Sequence, residues 1–318
     1  MPHGTAELAE GVIAGEQLAI GRAISLCDPG APAADKEELV GKLWLHTGHA
    51  ETIGITGPAG VGKSTLVSEL ISFARENGQT VGVIAVDPSS PDSGGAVLGD
   101  RIRMRDHYLD RDVFIRSMSA GGHLGGVSEA TFLAMSVLDA SGKDLIIVET
   151  VGVGQSEVEV RSMVDSVVVV LQPESGDSIQ AMKSGLMEIP DVLCLNKRDL
   201  PEAETAKRNL NGILRQTDEA VRPYFVSTNA AAGEGIDGLW QAIQDHRTRL
   251  GETGIQERRR KNLGHQIAAI AASHVSLSFE DTLRARPGQE LLDEVAGQVL
   301  DPLKAVKILE RSSGRTNV

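Results

Sequence analysis

Residues 52–66 read Thr52-Ile53-Gly54-Ile55-Thr56-Gly57-Pro58-Ala59-Gly60-Val61-Gly62-Lys63-Ser64-Thr65-Leu66. The first five form a short β-branched run that predicts a buried strand. Gly57 to Ser64 then fits the phosphate-loop pattern G-x-x-x-x-G-K-[ST], and a helix opens after it. Each residue type has a chemical reason. The glycines let backbone N–H groups turn inward around phosphate oxygens. The helix N-terminus adds partial positive charge. Lys63 is the side chain to reach the β- and γ-phosphates, and the Ser64 hydroxyl is the one to ligate Mg²⁺. The candidate phosphate-binding set is Gly57, Pro58, Ala59, Gly60, Val61, Gly62, Lys63, Ser64 and Thr65.

Outward from this stretch the pattern alternates strand and helix. Strand-like runs are predicted at 81–86, 113–118, 144–149, 166–171, 192–195 and 224–227, with helices at 127–140, 202–216 and 236–250. Val167-Val168-Val169-Val170-Leu171 is apolar throughout rather than alternating. That marks a strand covered on both faces, as in a parallel sheet. The expected fold is α/β, a three-layer P-loop NTPase sandwich with a mostly parallel central sheet. Before it, helical spacing over 6–25 and 36–49 predicts an N-terminal helical extension spanning 1–50. After 250 no strand signal remains. Helices at 256–276 and 288–311 predict a helical arm over 251–318, leaving 51–250 as the nucleotide-binding domain. Arg258-Arg259-Arg260-Lys261 reads most simply as a solvated helix face, with a partner contact as the alternative.

Composition narrows the class. With 318 residues and a net charge of −13, the chain lacks the basic surplus that nonspecific nucleic-acid binding needs. Aromatics make up only 3%, so the core must be aliphatic. Cys27 and Cys194 are isolated and predict buried thiols, with no disulfide framework and no thiolate metal site. His3, His46 and His49 are irregularly spaced and lack acidic or Cys companions, so they make no metal site. The N-terminus shows no signal-peptide pattern, and no run of about 18 apolar residues predicts a membrane span. The cytoplasm is the expected compartment.

Three further features say which nucleotide is bound and what happens to it. Asn196-Lys197-Arg198-Asp199 follows the apolar run 192–195 and is an N-K-x-D motif at the carboxyl end of a strand. A carboxylate at Asp199 can accept from guanine N1–H and the 2-amino group, a donor pair adenine lacks. A second loop, Ser227-Thr228-Asn229, is the next candidate to touch the base. Then 144–152 is a hydrophobic strand ending in Glu149, with Gly152 three residues later. An acid there holds Mg²⁺ or orients water, and Gly152 is placed to sense the γ-phosphate. Signalling GTPases mostly carry Asp at this place. Last, 87–101 is a loop rich in turn residues, with Asp87 or Asp100 as the carboxylate brought toward Mg²⁺.

With these residues in hand, the chain resembles the methylmalonyl-CoA mutase-associated GTPases, which belong to the P-loop class that includes the nickel-insertion GTPases. The matching stretches are GPAGVGKSTL (57–66), VDPSSPDSGGAVLGDRIRM (86–104), ETVGVGQSE (149–157), SGDSIQAMKSGLMEI (175–189) and NKRD (196–199). The resemblance implies GTP hydrolysis with Mg²⁺, and GTP or GDP as ligand. It also implies a homodimer held through C-terminal helices. The partner it implies is an adenosylcobalamin-dependent acyl-CoA mutase, for which the GTPase gates cofactor loading and protects or reactivates the enzyme. An extra switch segment maps to 174–188, where Lys183 matches a lysine linked to partner-stimulated hydrolysis. Glu174 and Pro190, which flank that segment, depart from the family's small residue and Ala. The catalytic set is then Lys63, Glu149 and Lys183. The alternatives are a nickel-enzyme maturation GTPase, a GTP-binding module with negligible turnover, and a kinase tied to amino-acid transport. The scattered histidines speak against the first, Ser64 and Glu149 against the second, and the lack of a second substrate pocket in the sequence against the third.

Overall fold

The computed structural model describes residues 4–28, 31–87, 104–119, 129–150, 159–173 and 190–312. Two compact units divide the chain, Met1–Gln266 and Ile267–Val318.

In the first unit seven strands form one sheet in the order β3-β2-β4-β1-β5-β6-β7. They are β1 (Glu51–Thr56), β2 (Val81–Asp87), β3 (Val113–Ser119), β4 (Leu145–Thr150), β5 (Ser166–Leu171), β6 (Val192–Leu195) and β7 (Tyr224–Ser227). Every pairing is parallel. The continuous aliphatic runs explain this. Successive side chains alternate faces, so Val167, Val169 and Leu171 of β5 enter one core while Val168 and Val170 enter the other. Only a sheet covered on both sides can bury both sets.

One face is covered by α4 (Lys63–Glu76) and the start of α7 (Ile236–Arg284), through Leu66, Val67, Leu70, Ile71, Leu239 and Ile243. The other is covered by α5 (Glu129–Ala140) and α6 (Ala203–Leu214). Three N-terminal helices, α1 (Thr5–Ile13), α2 (Gln17–Leu26) and α3 (Ala33–Leu43), extend that second core with Val12, Ile20, Ile24 and Leu39, all fully buried. Where a single helix was expected over 6–25, the chain breaks at Ala14-Gly15, with Gly15 at φ 75°. Leu45 is exposed where the helix expected over 36–49 tightens into a 3₁₀ turn at Trp44–His46. Both cysteines are buried as expected, and burial pushes each thiol up to about 12.

The solvated-face reading of 258–261 fails at its first two residues. α7 is interrupted at Gly251 (φ 63°), and the helical stretch after it turns Arg258 and Arg259 toward the sheet. Arg258 donates to both Asp191 oxygens (2.9 and 2.7 Å), and Arg259 is paired with Asp165. Asp165 and Asp191 lie just before β5 and β6, at the amino ends of those strands. His246 sits beside Asp191, with Nδ1 2.8 Å from Ser166 Oγ and Nε2 3.2 Å from Asp191. The spacing of four basic residues hid this, because charge alone does not reveal which residues face buried acids. Arg260 and Lys261 are exposed, as expected.

In the second unit, α8 (Arg286–Ala296) and α9 (Pro302–Ser312) pack with the end of α7 around Leu291, Ala305 and Leu309, joined by Phe279, Leu283, Val295 and Leu300. Leu292, Val299, Leu303, Val306 and Ile308 remain exposed. Among the described residues no helix is long and apolar enough to cross a membrane.

Candidate nucleotide-binding site

The carboxyl ends of β1, β4, β6 and β7 meet along one rim of the sheet, and the loops from these ends carry most of the expected site residues. This is the crevice where open parallel sheets take ligands. The register sets the geometry: Ile55 of β1 lies opposite Glu149 of β4, and Leu195 of β6 opposite Ser227 of β7.

Three glycines shape the phosphate loop, at φ 139° (Gly57), 78° (Gly60) and 93° (Gly62). Gly57 is the strictest, since a Cβ there would overlap the Val170 carbonyl oxygen of β5. At Gly62 a Cβ would stand 2.5 Å from Asn196 Nδ2. Lys63 opens α4 and bends back over the loop, donating to the Gly57 and Pro58 carbonyls at 2.7 and 2.9 Å. Its ammonium is thereby held at the loop's mouth. Ala59 and Gly60 are exposed at the loop's crest, and Thr65 is exposed on α4.

Glu149 comes to the next residue of α4. Ser64 Oγ donates to Glu149 Oε1 at 2.7 Å, and both residues are buried. A hydroxyl and a carboxylate converging beside a phosphate loop form the hard-oxygen donor set that suits Mg²⁺. Beneath them Thr150 Oγ1 donates to Thr56 Oγ1 at 2.9 Å, tying the ends of β4 and β1. Asp87 ends β2 at the same rim, in register with Ser119 of β3. Asp100, Gly152 and Lys183 lie outside the described residues, as do most of the stretches 86–104, 149–157 and 175–189.

The N-K-x-D residues divide their labour. Asn196 is 2% exposed and serves as a knot: Nδ2 donates to the Val61 carbonyl (2.9 Å), while Oδ1 accepts from Thr228 Oγ1 and the Ala230 N–H, each at 3.0 Å. Lys197 has φ 58°, a left-handed backbone that costs a non-glycine residue about 1–3 kcal/mol. Its Nζ donates to the Gly60 carbonyl (2.9 Å) and to Gln172 Oε1 (2.6 Å). Asp199 is exposed, and its carboxylate makes no hydrogen bond or ion pair among the described residues. An acceptor pair is thus left open at the rim. Arg198 pairs instead with Glu234 at 2.9 Å.

The loop after β7 differs from a simple row of backbone donors. The Thr228 N–H is spent on the Leu195 carbonyl and the Asn229 N–H on the Glu234 carbonyl. What remains for a ligand is side-chain chemistry. Ser227 Oγ is buried with no hydrogen-bond partner among the described residues, a state that costs about 1–3 kcal/mol until something bonds to it. The roles of Gln172, Thr56 and Thr150 were not read from the sequence. Only the polar character of Thr56 and Thr150 at the ends of apolar strands signals them.

Comparison with known proteins bears on the family and the fold. The family model described as "Methylmalonyl Co-A mutase-associated GTPase MeaB" matches residues 20–282. A Pyrococcus abyssi chain that carries a GTPase name is 42% identical over 95% of both chains. The mouse protein "Methylmalonic aciduria type A homolog, mitochondrial" is 37% identical over 64% of this chain and 50% of its own length. A solved structure titled "LAO/AO transport system kinase" superposes with a TM-score of 0.72 at 26% identity, covering 99% of each chain. The fold, the phosphate loop with its N-K-x-D partner and the extent of the family match agree, and the chain belongs to the methylmalonyl-CoA mutase-associated GTPase family.

Proposed function

We propose that the chain is a GTP-hydrolysing chaperone that gates adenosylcobalamin loading into, and protects or reactivates, a cobalamin-dependent acyl-CoA mutase. The observation that carries the GTP chemistry is the Ser64–Glu149 contact at 2.7 Å beside the Lys63 ammonium. The mutase follows from the family's description and from the name of the mouse relative.

In this reading Lys63 supplies fixed positive charge at the β- and γ-phosphates, and the glycine loop cradles them. Ser64 and Glu149, with Asp87 or Asp100, would hold Mg²⁺, which neutralises charge on the phosphate oxygens. Glu149 or a neighbour orients the attacking water, and Gly152 senses the γ-phosphate. Asp199 reads the guanine, assisted by Asn196, Lys197 and the side chains of Ser227, Thr228 and Asn229. Phosphoryl transfer needs positioning and charge more than covalent chemistry, so a modest basal rate is expected. Lys183 completes the site when the mutase binds. The stretch 251–318 acts as a dimerisation arm, and the exposed apolar positions of α8 and α9 suit that role.

The test is phosphate release from GTP and Mg²⁺, measured with and without a purified methylmalonyl-CoA mutase. Slow turnover alone, stimulation by the mutase and co-elution with it in a non-hydrolysable GTP analogue support the reading. Absence of phosphate release in both conditions overturns it. Stimulated turnover that survives Lys183→Ala removes Lys183 from the mechanism.

A further inference from the structure

Gln172 stands one residue beyond β5, outside every nucleotide-binding motif of the chain. Its backbone place is fixed, because the Asn196 N–H donates to the Leu171 carbonyl at 2.8 Å and locks β5 to the start of the N-K-x-D loop. From there Gln172 Oε1 accepts from Lys197 Nζ at 2.6 Å. The same ammonium donates to the Gly60 carbonyl, at the exposed crest of the phosphate loop. Lys197 holds its left-handed backbone two residues before Asp199. A strained residue keeps one orientation only while its surroundings over-determine it.

We infer that Gln172 is a positioning residue for guanine-nucleotide retention: it clamps Lys197 so that the base-reading loop and the phosphate loop close as one unit. The inference rests on the guanine-nucleotide reading and deepens it. With Gln172 present, two oxygens from different loops fix the Lys197 ammonium. Without it, Gly60 alone does so, and Gly60 belongs to the loop that must adapt to phosphates. Losing a hydrogen bond to a charged group then loosens the bound nucleotide without altering the donors and acceptors that read the base.

The experiment follows dissociation of a fluorescent GDP analogue from the full chain. Gln172→Leu, of similar size and unable to accept, is expected to speed release about tenfold or more. Gln172→Glu, which still offers an oxygen to the ammonium, is expected to restore release to within about threefold of the starting chain. In a Lys197→Met background Gln172→Leu is expected to change nothing further, since the pair acts through one contact. A purely structural role for Gln172 would not yield that rescue or that coupling. Release from Gln172→Leu within twofold of the starting chain overturns the inference, as does an equal acceleration in the Lys197→Met background. A starting chain that retains no GDP at all overturns the guanine-nucleotide reading itself, and the inference with it.

Discussion

Asn196 Nδ2 donates to the Val61 carbonyl at 2.9 Å, across 135 residues of chain. The first residue of the N-K-x-D motif is thereby bonded to the phosphate loop, and its other end holds the loop after β7. Asn196→Ala therefore disturbs three loops at once. Its effect should appear as loss of all guanine-nucleotide binding rather than as altered base preference, measured by GDP titration.

Base preference should move instead with Asp199. In the proposed function its open carboxylate is the acceptor for the N1–H and 2-amino groups of guanine. Asp199→Asn swaps one acceptor for a donor, which suits the 2-oxo group of xanthine. GDP affinity should fall about a hundredfold and xanthosine diphosphate affinity should rise. Competition binding with the two nucleotides checks this, and unchanged GDP affinity would remove Asp199 from the base site.

Glu149→Gln keeps the shape of the side chain and removes its charge. GTP hydrolysis should fall about a hundredfold or more, with GDP binding little changed. Ser64→Ala should raise the Mg²⁺ concentration needed for half-maximal hydrolysis. A Mg²⁺ titration of initial rates separates the two effects.

The glycines of the phosphate loop should not be equivalent. Gly57→Ala drives a methyl into the Val170 carbonyl and should lower the thermal midpoint and abolish nucleotide binding. At Gly60 a Cβ meets open space, and only the left-handed backbone opposes it, so Gly60→Ala should cost about 1 kcal/mol and leave the fold intact. Thermal melts of both variants make the comparison.

The basic cluster on α7 provides a stability test with internal controls. Arg258→Ala removes the guanidinium from the Asp191 carboxylate, leaving it only His246 and the Val167 N–H, and should destabilise by about 3 kcal/mol. Arg260→Ala and Lys261→Ala, on exposed positions, should stay within about 0.5 kcal/mol. Burial raises the Asp191 carboxyl, but hydrogen bonds and charge from His246 and Arg258 outweigh it and hold the group well below the usual carboxylate range. Its folded-state value is depressed, so its contribution is fully present above the unfolded value near pH 4 and is lost as pH falls below it. Acid unfolding of the first unit should therefore steepen below about pH 4, and less so in Arg258→Ala. Urea melts between pH 3 and pH 7 would show this.

Sequence by itself determined the parts whose physics is local. A glycine loop between an apolar strand and a helix, an N-K-x-D after another apolar strand, and runs such as 167–171 carry their meaning in a few adjacent residues. The parallel sheet and the glycine loop at its rim followed from them. Tertiary structure alone decided the contacts between distant stretches. Ser64 meets Glu149 across 85 positions, and Lys197 meets Gln172 across 25. Arg258 turns toward Asp191 rather than solvent because Gly251 re-aims the helix that carries it. A charge in a sequence has no fixed partner. The sheet register and one break in a helix chose it, and only there did the difference between a solvated face and a buried ion pair arise.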